Sequence, residues 1–211
     1  MEFLRKSYGQ KGEDLVLDKF SGNKRKGFYV DVGANDPNRF SNTKRFYLRG
    51  WTGINIEPDV DNWQKLSSQR KRDINLNIGI GESESSLEFY KFIPHTLSTF
   101  SKEEADNYVG QGYKLEKIVF VEVKKLEDIL AEYCKGDIDF MSIDTEGFDM
   151  QVLRSNNWNR FRPKLICIES VSHTMRGLYD KKKDNHDNFL TDIKYNKVYD
   201  NGLNSIYEYV Q

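Results

Sequence analysis

The chain has 211 residues, with 37% apolar, 31% charged and 13% aromatic side chains and a formal net charge of −1, a composition expected of one globular domain that folds on its own core. The near-neutral balance leaves no broad basic field for nucleic acid, and the aromatic content argues against disorder. No apolar run approaches the ~18 residues of a membrane span. The N-terminal MEFLRKSYGQKGEDLVL lacks the order of a secretory signal, and Cys134 and Cys167, far apart in apolar surroundings, read as reduced core thiols. A cytoplasmic protein is expected. The basic runs Lys24-Arg25-Lys26, Arg70-Lys71-Arg72 and Lys181-Lys182-Lys183 read as solvated loops and helix ends.

Residues 10–20 carry Leu15, Val16 and Phe20 at helical spacing behind an acidic first turn. GFYVDVG (27–33) is β-rich. SNTKRFYLRG (41–50) reads as a helix with Ser41 as N-cap and Gly50 as stop. TGINIEP (52–58) is a strand, 59–70 a helix and DINLNIGIG (73–81) another strand, so the order is that of right-handed crossovers in a parallel sheet. SSLEFYKF (85–92) is expected to hairpin onto the strand before it, and 93–117 to be an insertion over the sheet. Strands then follow at 118–123, 138–144 and 164–170, with helices at 125–133 and near 148–155. The tail 197–210 alternates around Asn201-Gly202, a hairpin signal, and should close the sheet with an antiparallel pair.

Acidic residues gather where these strands end: Asp31 in YVDVGAN, Glu57 in INIEP, Asp144 in SIDTEG and Glu169 in ICIES. Each could cap the helix behind it, but ligands of open α/β sheets bind at the carboxyl ends of the strands, and buried carboxylates are costly without partners. Glu57 stands 26 residues after Asp31, the separation at which a second-strand acid reaches ribose hydroxyls. The first loop, Gly33-Ala34-Asn35-Asp36-Pro37, lacks the further glycines that let amides approach a pyrophosphate, and its two aspartates repel phosphate. That disfavours a nicotinamide enzyme and suits a cationic nucleoside such as S-adenosylmethionine.

With those segments in view, the chain resembles FkbM-type S-adenosylmethionine-dependent methyltransferases over nearly its whole length. The likeness is carried in order by SYGQKGEDLVLDKF, GFYVDVGANDPNRFSNT, GWTGINIEPD, NIGIG before SLEFY, DFMSIDTEGFDMQVLRS and LICIES. The resemblance implies a Rossmann-like class I methyltransferase fold and O-methylation of a sugar or polyketide hydroxyl, the sugar being the first expectation, free or within a glycan. A single domain over 1–211 is expected, freestanding or cut from a longer polypeptide. A non-catalytic nucleoside-binding module is the alternative of another class. A nucleic-acid methyltransferase is disfavoured, because Ile143-Asp144-Thr145-Glu146 stands where an Asn/Asp-Pro-Pro-aromatic motif belongs.

By matching positions, Asp31, Gly33 and Asn35 should surround the methionine portion, Glu57 beside Pro58 should take both ribose hydroxyls, and Asn77 and Ile78 should border the adenine. Ser41, Asn42 and Thr43 either cap the first helix or touch the cofactor as well. Gln10 and Asp14 either fold back over it or form a solvated helix start. An aliphatic hydroxyl needs a base as its bond to the methyl forms. Asp144 is the first choice as base or acceptor anchor, followed by Glu146 and by His173, whose alternative is a solvent-facing loop. A divalent metal, if used, would be held by Asp144, Glu169 and His173. Phe92, Phe100, Tyr108, Tyr113 and Tyr179 are candidates to stack on a sugar face.

Overall fold

Short β-branched runs buried on both faces build parallel sheets, and they do so here. The computed structural model describes residues 6–173, 179–181 and 186–210, with no side chains described for 171–173 and 179–181. In chain order, α1 (Glu13–Phe20), β1 (Phe28–Val32), α2 (Lys44–Arg49), β2 (Thr52–Ile56), α3 (Val60–Gln69) and β3 (Ile74–Leu76) form the first half. Then come β4 (Gly79–Ile80), β5 (Ser85–Ile93), a 3-10 turn (His95–Leu97), α4 (Lys102–Gly110) and β6 (Lys114–Lys124). The second half is α5 (Leu126–Tyr133), β7 (Phe140–Ile143), α6 (Asp149–Arg154), β8 (Leu165–Glu169), β9 (Val171–His173), β10 (Tyr179–Lys181), α7 (His186–Asp192), β11 (Tyr195–Asp200) and β12 (Asn204–Tyr209).

The main sheet has seven strands in the order β11-β12-β8-β7-β1-β2-β3. β1 pairs in parallel with β2 and β7, as do β2 with β3 and β7 with β8; β12 runs antiparallel to β8 and β11. Alternation along β1 sends Val30 and Val32 to one face and Tyr29 to the other. On the first face Ile54, Met141, Ile143 and Ile166 pack with Leu126, Ile129 and Leu130 of α5 and Val152 of α6. On the second, Tyr29 packs with Leu17 of α1, Phe46 of α2, Trp51 and Phe140. Helices therefore cover both faces, and the C-terminal hairpin closes one edge as expected.

The chain departs from the sequence reading between 73 and 124. The run 73–81 breaks after β3, where Asn77 Nδ2 donates to the carbonyls of Glu57 and Pro58, each at 2.9 Å. Beyond that clamp the chain turns into a second, three-stranded sheet of order β4-β6-β5, with β4 parallel and β5 antiparallel to β6. β5 thus pairs with the long β6, not with the strand before it, and the presumed insertion is the connection between those two strands. Gly79 is required at the diversion: a Cβ there would lie 2.5 Å from the Phe100 ring.

Three local expectations also change. α2 begins at Lys44, with Ser41 Oγ accepting the Lys44 amide at 3.2 Å from outside the helix. Arg70, read as part of a solvated run, is fully buried. Asp14, read either as folding back over the cofactor or as a solvated helix start, is fully buried too, which excludes the second reading, and its Oδ2 accepts Arg45 Nε at 3.0 Å. Both cysteines are free, Cys167 buried and Cys134 half-buried.

Candidate active site

Strand order reverses between β1 and β7, so the loops leaving their carboxyl ends diverge and open a crevice there. Asp31 lies one residue before the end of β1, Glu57 follows β2, Asp144 follows β7 and Glu169 ends β8. All four carboxylates line one cavity of about 300 Å³. The first loop fits against the β7 loop only because residue 33 is glycine: its φ is +81°, and a Cβ would lie 1.8 Å from the Asp144 carbonyl oxygen. The crowding comes from this neighbouring backbone.

Glu57 is 4% exposed, with Oε2 accepting the Asn35 amide at 2.6 Å and Oε1 the Asp59 amide at 2.8 Å. Each oxygen keeps a second lone pair for a ligand hydroxyl. Burial dominates its electrostatics and pushes the carboxyl up to about 8, against the opposing pull of those two amides. Asp31 is 5% exposed and is likewise raised by burial, to about 6, although Thr43 Oγ1 donates to its Oδ2 at 2.8 Å. Neither carboxylate has a cation within ion-pair distance among the described residues. Two desolvated acids facing one crevice favour a ligand that brings hydroxyl donors and positive charge.

The second sheet roofs the crevice. Lys91 of β5, 1% exposed, donates to Asp59 Oδ1 at 2.9 Å and Asp61 Oδ2 at 2.8 Å. On the other side Tyr108 of α4 donates to Glu146 Oε2 at 2.7 Å, and Thr99 Oγ1 donates to the Glu146 carbonyl at 2.8 Å. Phe89, Phe100 and Phe148 form a chain of ring contacts, at 4.8 and 5.6 Å between centroids, along a wall shared with Ile78 and Ile80. That wall is an apolar slot of the kind a planar base fills.

The family model for the methyltransferase FkbM domain matches residues 31–196. The chain belongs to the FkbM methyltransferase family. Among solved structures it is similar to methyltransferase FkbM from Methylobacillus flagellatus KT, at 16% identity and a TM-score of 0.51. The likeness covers 88% of this chain and 44% of that one, so the chain spans less than half of that protein's length. At such identity it speaks for the fold alone. No curated protein matches the sequence.

Of the positions marked from sequence in this chain, Gln10, Asp31, Gly33, Asn35, Ser41, Asn42, Glu57, Pro58, Ile78, Asp144, Glu146 and Glu169 border the cavity. Thr43 stands behind it as the donor to Asp31, and Asn77 stands behind it as the clamp on Glu57 and Pro58. Asp14 also lies outside, where its carboxylate gathers Ser7 Oγ and the amides of Tyr8 and Gly9, and so seats the segment that carries Gln10. The backbone of His173 lies in β9, and its side chain falls outside the described residues. Tyr179 stands likewise. Phe92 and Tyr108 are core residues, against the expectation of stacking, whereas Phe100 borders the cavity.

Sequence reasoning missed Phe89 and His95, whose places depend on the path of the second sheet, and Phe148, which stands between β7 and α6 of the main sheet. His95 borders the cavity with Nδ1 3.7 Å from Asp59 Oδ2. Carboxylate oxygens of Asp144, Glu146 and Glu169 lie within 4.8 Å of one another, a set of hard oxygen donors. Glu146 joins Asp144 and Glu169 in this group, and the side chain of His173, expected there as well, falls outside the described residues.

Proposed function

We propose that this FkbM domain is an S-adenosylmethionine-dependent O-methyltransferase acting on a sugar hydroxyl, free or within a glycan. The observation that carries the reading is the buried pair Asp31 and Glu57 at the switch point, both raised by desolvation and both without a cation among the described residues. The donor supplies an electrophilic methyl group on a sulfonium. Glu57 accepts the ribose hydroxyls through the lone pairs its amide partners leave open. Asp31, oriented by Thr43, faces the positive end of the amino-acid portion. The apolar slot of Ile78, Phe100 and Phe148 accommodates the base.

Methyl transfer is an in-line displacement, so the acceptor oxygen must be held about 3 Å from the methyl carbon on the far side from sulfur. Asp144, at the end of β7 across from Gly33, borders the space left for that oxygen and takes its proton as the bond forms. Glu146, tied to Tyr108, fixes the loop that carries Asp144. The reading is tested by incubating candidate glycans with trideuteromethyl donor and following the product by mass spectrometry; a gain of one labelled methyl on a hydroxyl supports it.

The proximity of Asp144, Glu146 and Glu169 favours a second version, in which a divalent cation polarises the hydroxyl. Chelator in an active assay separates the two: loss of rate restored by magnesium or manganese selects the cation, and an unchanged rate selects Asp144 as base.

A further inference from the structure

Three basic residues border the cavity among the described residues: Arg39, Lys65 and His95. Two of them have acceptors at hand. Lys65 Nζ donates to Asn62 Oδ1 at 2.9 Å and lies 4.0 Å from Asp36, while His95 faces Asp59. The Arg39 guanidinium has no carboxylate or carbonyl partner among the described residues and lies over the Phe40 ring, 4.5 Å from its centroid. Stacking occupies the flat face of a guanidinium and leaves its five edge N–H donors available.

The loop holding this pair is fixed from below. Asp36 Oδ1 accepts the amides of Asn38 and Arg39 at 2.8 and 3.0 Å, and buried Arg70 donates to the Pro37 carbonyl at 2.8 Å and Ser41 Oγ at 3.0 Å. Phe40 adopts φ +57°, a conformation bulky side chains rarely take, and its ring stands 43% exposed at the cavity mouth. Position along the crevice follows from the neighbours. Two residues on, Ser41 meets Thr43, the donor to Asp31, and Asn42 Nδ2 donates to Ser142 Oγ of β7 at 3.1 Å. On the other flank Asn38 Nδ2 donates to Gln69 Oε1 of α3 at 2.7 Å, so Arg39 stands at the rim between the Asp31 loop and α3.

We infer that Arg39, presented by Phe40, is the carboxylate receptor of the cavity and takes the amino-acid carboxylate of the donor, an inference that rests on the donor reading above. The interior acids repel any anion, so the one carboxylate of a zwitterionic amino acid has to turn toward the rim while its ammonium faces Asp31. A forked guanidinium already oriented by an aromatic ring matches a carboxylate in two parallel hydrogen bonds. An anionic acceptor could use the same fork, and the test distinguishes the two sources.

Calorimetric titration compares S-adenosylhomocysteine with 5′-methylthioadenosine, which keeps the nucleoside and thioether and lacks the amino acid. Arg39→Ala should weaken the first ligand roughly tenfold or more, the worth of a charge-assisted pair at a partly open site, and leave the second within about twofold. Phe40→Ala should show the same selectivity at smaller size, since the charge remains and its orientation is lost. Retained binding of methylthioadenosine also reports that the variant is folded. Equal loss for both ligands, or no loss for the homocysteine compound, overturns the assignment, the latter result leaving Arg39 to the acceptor. Wild-type protein that binds neither nucleoside overturns the donor reading itself and this inference with it.

Discussion

The carboxyl edge of the seven-stranded sheet and the three-stranded sheet above it differ in what holds their charges. At the edge, Asp31 and Glu57 are buried with hydroxyl and amide partners but no cation among the described residues. In the smaller sheet, buried Lys91 is satisfied twice over by Asp59 and Asp61. One region keeps its electrostatic demand open for a ligand, and the other closes its own. A fixed roof over an unsatisfied floor is the arrangement a binding crevice needs.

That contrast breaks first at the chemistry. Asp144→Asn should lower turnover by about 10²- to 10⁴-fold, the usual worth of a positioned base, with donor affinity retained. Wild-type turnover removes Asp144 from the mechanism. Lys91→Ala should be nearly as severe for the fold: it leaves Asp59 buried without its cation and costs about 3–5 kcal/mol. Hydrogen exchange should show β5 and β6 losing protection while β1, β2 and β7 keep theirs; uniform loss across both sheets would mean that they are not separable units. Glu57→Ala should weaken the donor roughly 10- to 100-fold through the lost hydrogen bonds, with the folded secondary structure retained by circular dichroism.

The smallest effect sharpens the comparison through pH. Asp31 sits raised to about 6 and Glu57 to about 8, so both bind their protons more tightly folded than unfolded. Their stabilising contribution is complete below the ordinary carboxyl range and is lost as pH rises through 6 and then 8. The ligand-free protein should therefore melt at lower temperature at pH 9 than at pH 6, and Glu57→Ala should flatten that slope. Donor affinity, which uses the ionised carboxylates, should rise over the same window. A melting curve independent of pH contradicts the desolvation assigned to this pair.

The floor was legible in the sequence because its residues are anomalies there. A carboxylate at the end of an apolar run has no packing reason to stand where it does, and Asp31, Glu57, Asp144 and Glu169 all end in one cavity. The parallel strands were legible for the complementary reason that burial on both faces forces continuous apolar runs. The roof was not. Its strand pairing joins Gly79–Ile80 to Val123–Lys124 across more than forty intervening residues, and no local pattern encodes such a partner. Phe89, on β5, reaches the site only through that second sheet. Buried charges misled in the other direction: Asp14 and Arg70 sit among polar neighbours in sequence and take their partners, Arg45 and the 37–41 loop, from distant segments.

The central claim, that the carboxyl-edge acids form one seat for a cationic nucleoside, is tested most directly by calorimetric titration of the wild-type chain at pH 8 with S-adenosylmethionine beside ATP and a nicotinamide dinucleotide. Saturable binding of the sulfonium nucleoside alone is the predicted result. Binding of a phosphate-bearing nucleotide in its place contradicts the account.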